Sequence, residues 1–365
     1  MSIVIFILAL VILILVHELG HFLAAKSIGV RVNEFGIGFP PRIFGWKPKR
    51  GETTYSINWI PFGGFVRIFG EDPEEEGATH NPRSLLSQSR IKQIWVLIAG
   101  VLFNALLAWG LITVGYLSGL PTAVTPTTQG LVTEPALTIL AVEHDSPAER
   151  AGIKPGDEIL FVESPVESLQ GDELTPDALT TLTHTATGDV RLLLSRKDTE
   201  PFSLSITPEK VGTESQAIGV YLETIAIVKL PIHRALFEGL RDAGHLLVTI
   251  TRGLGSFIAE AFRGEADVST VVGPVGLSQI FADASAIGFA SVLSLSAIIS
   301  LHLTILNLIP FPALDGGRIL IVLLEAIRRK QFPARIIGWI NTVGFVLLIL
   351  LMIVVTIGDI SRLFG

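Results

Sequence analysis

Ile3-Val-Ile-Phe-Ile-Leu-Ala-Leu-Val-Ile-Leu-Ile-Leu-Val-His17-Glu18-Leu19-Gly20-His21 is the stretch that decides how this chain is read. Ile3 to Val16 carries no polar side chain, and the apolar run resumes after His21 and continues to Ala25. A run of that length predicts a membrane-spanning helix. Set into it is H-E-x-x-H, whose two histidines stand four residues apart and so share one helix face. That spacing lets both rings hold one Zn²⁺, with the neighbouring glutamate as general base. Ionisable groups inside a span are costly, so they point to function. The plain alternative, a soluble helix with a surface His-Glu-His cluster, does not fit the apolar residues ahead of it.

The whole chain agrees with a membrane protein. It has 365 residues, 49% of them hydrophobic and only 17% charged, with a mean hydropathy of +0.58. Average globular chains are about one quarter charged. The net charge of −7 argues against nucleic acid as a partner. With no cysteine, disulfides and thiolate metal sites are excluded, and the redox compartment is left open. The N-terminus lacks a basic leader, and cleavage after the apolar run would discard both histidines, so a removable signal peptide is not expected.

Four spans are predicted: residues 1–25, 94–117, 286–317 and 336–357. The linking segment 26–93 carries ten Lys and Arg, and the link 318–335 holds Arg318, Arg328, Arg329, Lys330 and Arg335. The insert between the second and third spans has 23 acidic and 11 basic residues. The excess of positive charge places both basic links in the cytoplasm, and both termini and the insert outside. On a helix starting at Ile3, His17 lies ~21 Å along an apolar layer ~30 Å thick, inside the membrane toward the cytoplasmic face.

Residues 26–93 read as more than a loop. Val32–Ile43 and Thr53–Phe69 partly alternate and are rich in β-branched and aromatic residues, and Lys49-Arg50-Gly51-Glu52 reads as the turn between them. A small sheet on the membrane is expected. Its strand Ser56, Ile57, Asn58, Trp59, Ile60 is the candidate free edge for pairing with an extended substrate. In the insert, residues 130–210 show short strands and a helix near Leu174–Thr183. Ser146-Pro-Ala-Glu-Arg-Ala-Gly-Ile-Lys-Pro-Gly-Asp-Glu-Ile-Leu160 resembles the helix-turn-strand core of a PDZ domain. Such domains bind chain ends by strand addition, and the groove strand is expected at about Thr138–Glu143. Residues 231–285 are predicted to begin with an amphipathic helical brace, about Pro231–Phe262, lying on the outer membrane surface or against the PDZ domain, and to include Gly273-Pro-Val-Gly276, which resembles a loop ahead of the third span in the family named below.

A catalytic zinc keeps three protein ligands and an open position. The third ligand candidate is Asp315, in Asn307-Leu-Ile-Pro-Phe-Pro-Ala-Leu-Asp-Gly-Gly317, on the same side of the membrane as the histidines. Pro310 and Pro312 break the helix there. A simple N-cap for the next helix is the competing role for Asp315.

Together these motifs resemble the site-2 protease family of intramembrane zinc metalloproteases, over nearly the whole chain, and more closely its bacterial RseP-type branch in single-PDZ form. Gly36-Ile-Gly38 and Pro61-Phe-Gly-Gly64 resemble the family's membrane-embedded β region, and Asn341-Thr-Val-Gly344 and Asp359 its last span. The resemblance implies one Zn²⁺ per chain held by His17, His21 and Asp315, Glu18 as catalytic base, and Asn307 at the substrate backbone or the developing oxyanion. It implies single-span membrane proteins as substrates, trimmed first by another protease, in a bacterial inner membrane. There are departures. The family's A-G-P-x-x-N pattern reads Ala99-Gly-Val-Leu-Phe-Asn104 here, with Val101 for proline. His302 stands where many relatives have Asn, as an outer-sphere group or a polar residue bonded to a neighbouring span. The competing classes are a catalytically silent membrane scaffold presenting a PDZ domain, and a cation transporter. The scaffold gives no reason for an intact set of four site residues, and the transporter lacks a charged path from the one three-ligand cluster toward the outer face.

Overall fold

The architecture is described from a computed structural model covering residues 2–72, 75–78, 81–123, 135–186, 188–196, 199–210, 216–265 and 271–364. The expected beginning of the insert, at 130–134, lies outside these residues. Among the described residues, four helices are long and apolar enough to cross a membrane. They are α1 (Ser2–Ser27), α2 (Arg90–Ser118), α7 (Phe289–Leu308) and α9 (Ala334–Phe364). Each is apolar nearly all round, the signature of a helix that meets lipid and neighbours rather than water.

Two breaks shape the third span. It was expected from residue 286, but α6 (Pro274–Ile287) ends there and Gly288, at φ +153°, separates it from α7. At the other end α7 stops at Leu308, where Pro310 and Pro312 deny the next turns their N–H donors. Ala313 adopts φ +70°, and the chain re-enters a helix as α8 (Asp315–Arg328). The Gly273-Pro-Val-Gly276 segment, expected as a loop, opens α6. Its Gly273 and Gly276 N–H groups donate to the buried Asp359 carboxylate of α9, at 3.0 and 2.9 Å, a carboxylate at a helix N-terminus. α8 is tied to the start of α2 by Arg90 and the buried Glu325, 2.8 Å apart.

The segment after α1 forms β1 (Val32–Trp46) and β2 (Thr54–Ile68), antiparallel. Both strands are long and fold back on themselves. Gly36 pairs with Phe65 on one side and with Ser56 on the other, while Ser56 also meets Gly45, and Ile57 meets both Ile37 and Phe44. The resulting order is 64–68, 32–37, 54–58, 42–46. The candidate edge Ser56–Ile60 is therefore interior, because the second half of β1 returns along it and takes its outer groups. The free edge toward the helices is 64–68. Lys26 at the end of α1 and Arg83 both reach Glu52 in the turn, at 2.8 and 2.6 Å. Arg83 first, then Lys26, hold that carboxyl down to about 2.

The insert builds a seven-stranded sheet whose main path runs β3 (Leu120–Ala123), β11 (Val220–Val228), β4 (Ala136–Val142), β5 (Glu158–Glu163), β7 (Val190–Ser195), β8 (Phe202–Ile206), with β6 (Ser168–Gln170) on β5. Two short strands, β9 (Glu209–Lys210) and β10 (Gln216–Ala217), pair apart from it. Helices α3 (Pro147–Arg150) and α4 (Pro176–Thr185) flank the sheet. Ile139, Val162, Leu179, Leu192 and Leu194 make its core. Asp157, wholly buried, caps the turn by accepting from Lys154 N–H and is met by Arg196 at 2.6 Å. The sheet draws β3 and β11 from outside the expected 130–210, since those flanking segments complete its ladder. From β11 the chain enters α5 (Ile232–Arg263), whose Ala235, Gly239 and Ala243 pack on α2.

Candidate metal centre

His17 and His21 come one turn apart on α1, and Asp315 opens α8. Their ligand atoms converge. His17 Nε2 and His21 Nε2 are 3.0 Å apart, and Asp315 Oδ2 lies 3.0 Å from the first and 3.4 Å from the second. Among the described residues this is the group of three metal-type ligands that meets at one point. Asp315 occupies the first position of α8, but Leu314 is the N-cap and makes no side-chain capping bond; the carboxylate faces the histidines instead.

These donors fit zinc. Asp315 Oδ2 is buried without a hydrogen-bond partner, although two imidazole nitrogens stand close to it. Three donor atoms with separations of 3.0–3.4 Å match the ~3.3 Å edges of a tetrahedron with metal bonds of ~2.0–2.1 Å. Two nitrogens and a carboxylate are a borderline cation's ligands, and three of them leave the fourth position open.

Helix α2 forms the back wall. His21 Nδ1 donates to the Val96 carbonyl at 2.8 Å, which fixes that ring. α1 and α2 approach so closely at Gly20 and Gly100 that side chains have no room. A Cβ at Gly20 would stand 2.8 Å from the Ala99 carbonyl carbon, and one at Gly100 would stand 2.6 Å from His21 Cε1 and 2.8 Å from His17 Cε1. Asn104, one turn further along α2, is fully buried beside His17 Nδ1, at 3.3 Å.

Glu18 turns to the sheet. Its Oε2 accepts from Val66 N–H at 2.9 Å, so the free edge 64–68 carries the group that orients this carboxylate. A cavity of about 440 Å³ joins these parts, lined by His17, Glu18, Asp315, Asn307, Phe39 and the Gly64–Val66 edge. Ser56, Ile57, Asn58, Trp59 and Ile60 do not line it. Glu71, just beyond β2, also lines it and is paired with Arg318, one turn beyond Asp315 on α8. His302 faces outward on α7, its Nδ1 bonded to the Ile298 carbonyl at 2.9 Å, and lies outside the cavity.

The sequence motifs brought His17, Glu18, His21, Asp315 and Asn307 together. Val66, Gly20, Gly100 and Asn104 went without roles. The last two stood in a recognisable motif, but its meaning needs the crossing of α1 and α2, which no local pattern encodes. The groove of the insert also moves. β4 has β11 along one side and β5 against its first half on the other, so the expected groove strand is closed at Thr138 and Ile139. The open groove, about 200 Å³, lies between α4 and the start of β11, with Leu179, Thr183 and His184 on one wall and Gly219, Val220 and Leu222 on the other.

Known proteins support this chemistry. The profile of "Peptidase family M50" matches residues 5–351. A Clostridium perfringens protein named as a zinc metalloprotease is 36% identical over 372 residues, covering 99% of this chain and 98% of its own. A similarly named Nostoc protein is 32% identical over 371 residues, covering all of this chain and 97% of its own. The zinc metalloprotease RasP of Bacillus licheniformis is 27% identical over 443 residues, covering all of this chain and 99% of its own.

Proposed function

This chain belongs to peptidase family M50, the site-2 protease family, and is a zinc metalloprotease; from that premise we propose that it cuts the transmembrane segment of single-span membrane proteins at the cavity between α1, α7 and the β2 edge. The convergence of His17, His21 and Asp315 within an apolar helix bundle, with Glu18 beside them, carries this reading. Those three residues hold the metal. Bound zinc supplies Lewis acidity that polarises the scissile carbonyl and makes water acidic near neutrality.

The chain's own groups do the rest. Glu18 takes a proton from the attacking water and returns it to the leaving nitrogen. Val66 N–H keeps one carboxylate oxygen of Glu18 fixed and leaves the other for that proton. Asn307 donates to the substrate backbone. A helical substrate protects its own amides, so it must unwind before cleavage. The unwound stretch is received by the Gly64–Val66 edge, which faces the cavity, through main-chain hydrogen bonds.

The excess of Lys and Arg on 26–93 and 318–335 orients the site toward the cytoplasm of a bacterial cell, with the inserted sheet outside. That sheet is a PDZ domain with strands in permuted order. The groove between α4 and β11 takes chain ends, and with α5 it excludes substrates whose outer domains have not been shortened by an earlier protease.

The test is cleavage of a trimmed single-span substrate by purified protein in detergent, with the cut located by mass spectrometry. A cut within the span, abolished by Glu18→Gln and by chelation, is the expected result. A cut outside the span, or cutting that survives Glu18→Gln, overturns the proposal.

A further inference from the structure

The cavity at the metal centre does not end at the ligands. Glu71 and Ala313 are walls that it shares with a second cavity, of about 820 Å³, between α8 and the first turns of α9. That volume falls within the ~300–1,000 Å³ of sites that enclose a ligand. Beside it α9 touches the loop that leads to Asp315, since a Cβ at Gly344 would stand 2.7 Å from the Pro312 carbonyl oxygen. The second cavity is thus built onto the loop of the third ligand, on a helix that supplies neither a ligand nor the base.

The free edge leads into this space. Along α1, Gly64 lies against Leu15, Val66 meets Glu18, and Ile68 packs with Ala24 and Ala25. The edge therefore runs toward the Lys26 end of α1. Just beyond it stand Glu71 and Asp72, both in the wall of the second cavity. A chain paired along 64–68 is delivered to that mouth. The far wall suits a peptide. Asn341 Oδ1 is buried without a hydrogen-bond partner, and an amide side chain offers a main chain both an acceptor and donors. An unwound chain in apolar surroundings has amides to satisfy. Ile337, Trp339 and Phe345 offer apolar surface to its side chains. Glu71 and Asp72 are balanced by Arg318 and Arg335 in the same wall, so an uncharged segment fits better than a phosphate or a lone cation.

We infer that the cavity between α8 and α9 receives the arm of the substrate that leaves the edge toward the Lys26 end of α1, with Asn341 Oδ1 accepting a main-chain N–H of that arm. This rests on the reading of the chain as a protease that pairs its substrate along Gly64–Val66. Cleavage then depends on substrate residues beyond the cut on that side, as well as on those at the metal.

The test measures kcat/KM of the full chain in detergent on two single-span substrates. One is intact, and one is cut back on that side to about three residues from the scissile bond, ~10 Å of extended chain. Thr342→Trp fills the cavity, and Thr342 Oγ1 bonds within its own helix, to the Gly338 carbonyl, so no tie between elements is lost. It is expected to lower kcat/KM on the intact substrate about 10–100-fold, the effect of overfilling an occupied space. Asn341→Leu is expected to lower it about 3–10-fold, the effect of one hydrogen bond. The wild type should cleave the cut-back substrate more slowly, and neither variant should lose anything further on it, because the two changes remove one interaction. Zinc affinity, read by chelator competition, should stay at the wild-type value. Leu350→Trp, on an exposed part of α9 outside the cavity, is the control and should match the wild type on both substrates. Intact-substrate cleavage in Thr342→Trp equal to that in Leu350→Trp, or the same loss on both substrates, overturns the inference and leaves the protease reading standing. A wild-type protein that cuts neither substrate within its span overturns that reading and the inference with it.

Discussion

Gly100→Ala is a one-methyl change on α2, on neither the substrate strand nor the ligand set, and it should empty the metal centre. The added Cβ would stand closest to His21 Nε2, with His21 Cε1 at 2.6 Å and His17 Cε1 at 2.8 Å. Carbon contacts settle at about 3.5–4.0 Å, so the rings or the helices must give by roughly 0.7–1 Å. Gly20 blocks the easy escape, because α1 and α2 already touch backbone to backbone there. Metal ligands tolerate displacements of about ±0.2 Å. Two of three ligands are displaced beyond that, so zinc affinity should fall by roughly 100-fold or more, exceeding the loss of one outer-sphere partner. Overpacking should also cost about 1–3 kcal/mol of stability. Gly110→Ala on the same helix is the matched control, because a Cβ there meets nothing within 4 Å. It should be neutral or stabilising by about 0.5–1 kcal/mol, as Ala replaces Gly in a helix. Zinc content after purification, chelator competition and thermal unfolding read all of this for both variants. A Gly100→Ala protein that holds zinc as tightly as Gly110→Ala would refute the reasoning, since the histidines would then not lie against α2.

Val66→Pro removes the N–H that donates to Glu18 while sparing the ladder, because that N–H points to the free edge. Loss of a bond to a charged group costs about 1.5–3 kcal/mol, so kcat should drop roughly 10–150-fold with zinc retained, and unchanged turnover would refute the role. Asp359→Ala leaves the Gly273 and Gly276 amides without their acceptor and should lower stability by about 1–3 kcal/mol or more; an unaltered unfolding temperature would count against this tie. Glu52 has a folded value of about 2 against an ordinary 4.5, so its contribution is complete above about 4.5 and is lost as pH falls through about 2. The stability gap between wild type and Glu52→Gln should therefore shrink on acidification across that window. A gap that is constant or grows would exclude the pairing with Arg83 and Lys26 as its source.

The parts legible in the sequence were those that repeat at short range. The spans show because each supplies its own hydrogen bonds and needs only a long apolar run. His17, Glu18 and His21 show because helical spacing alone places them together, and Asp315 because two prolines announce a broken helix. What stayed hidden depends on which segments meet. β1 and β2 have alternation enough to be seen as strands, but each doubles back, and nothing local says that residues 42–46 will cover 54–58 and leave 64–68 exposed. In the same way β4 looked like an edge until β11, some 80 residues later, paired with it. Asn104 and Gly100 were visible as letters of a motif. Their roles needed the packing of α2 against α1.

The free edge 64–68, Glu18 and the start of α8 are joined by hydrogen bonds. β2 gives Val66 N–H to Glu18, and a few residues on, Glu71 holds Arg318 of α8 through both its side chain and its carbonyl. Arg318 lies one turn from Asp315 on that helix. On the proposed reading, a chain that pairs along Gly64–Val66 therefore bears directly on the Glu18 carboxylate. Through Glu71 and Arg318 it also bears on the helix that presents Asp315. Substrate pairing and assembly of the catalytic groups then become a single event. That suits the proposed cleavage of helical segments, because an unwound stretch is what such an edge would select. On that reading Glu18, the proposed base, is held by the same backbone that an extended chain would meet.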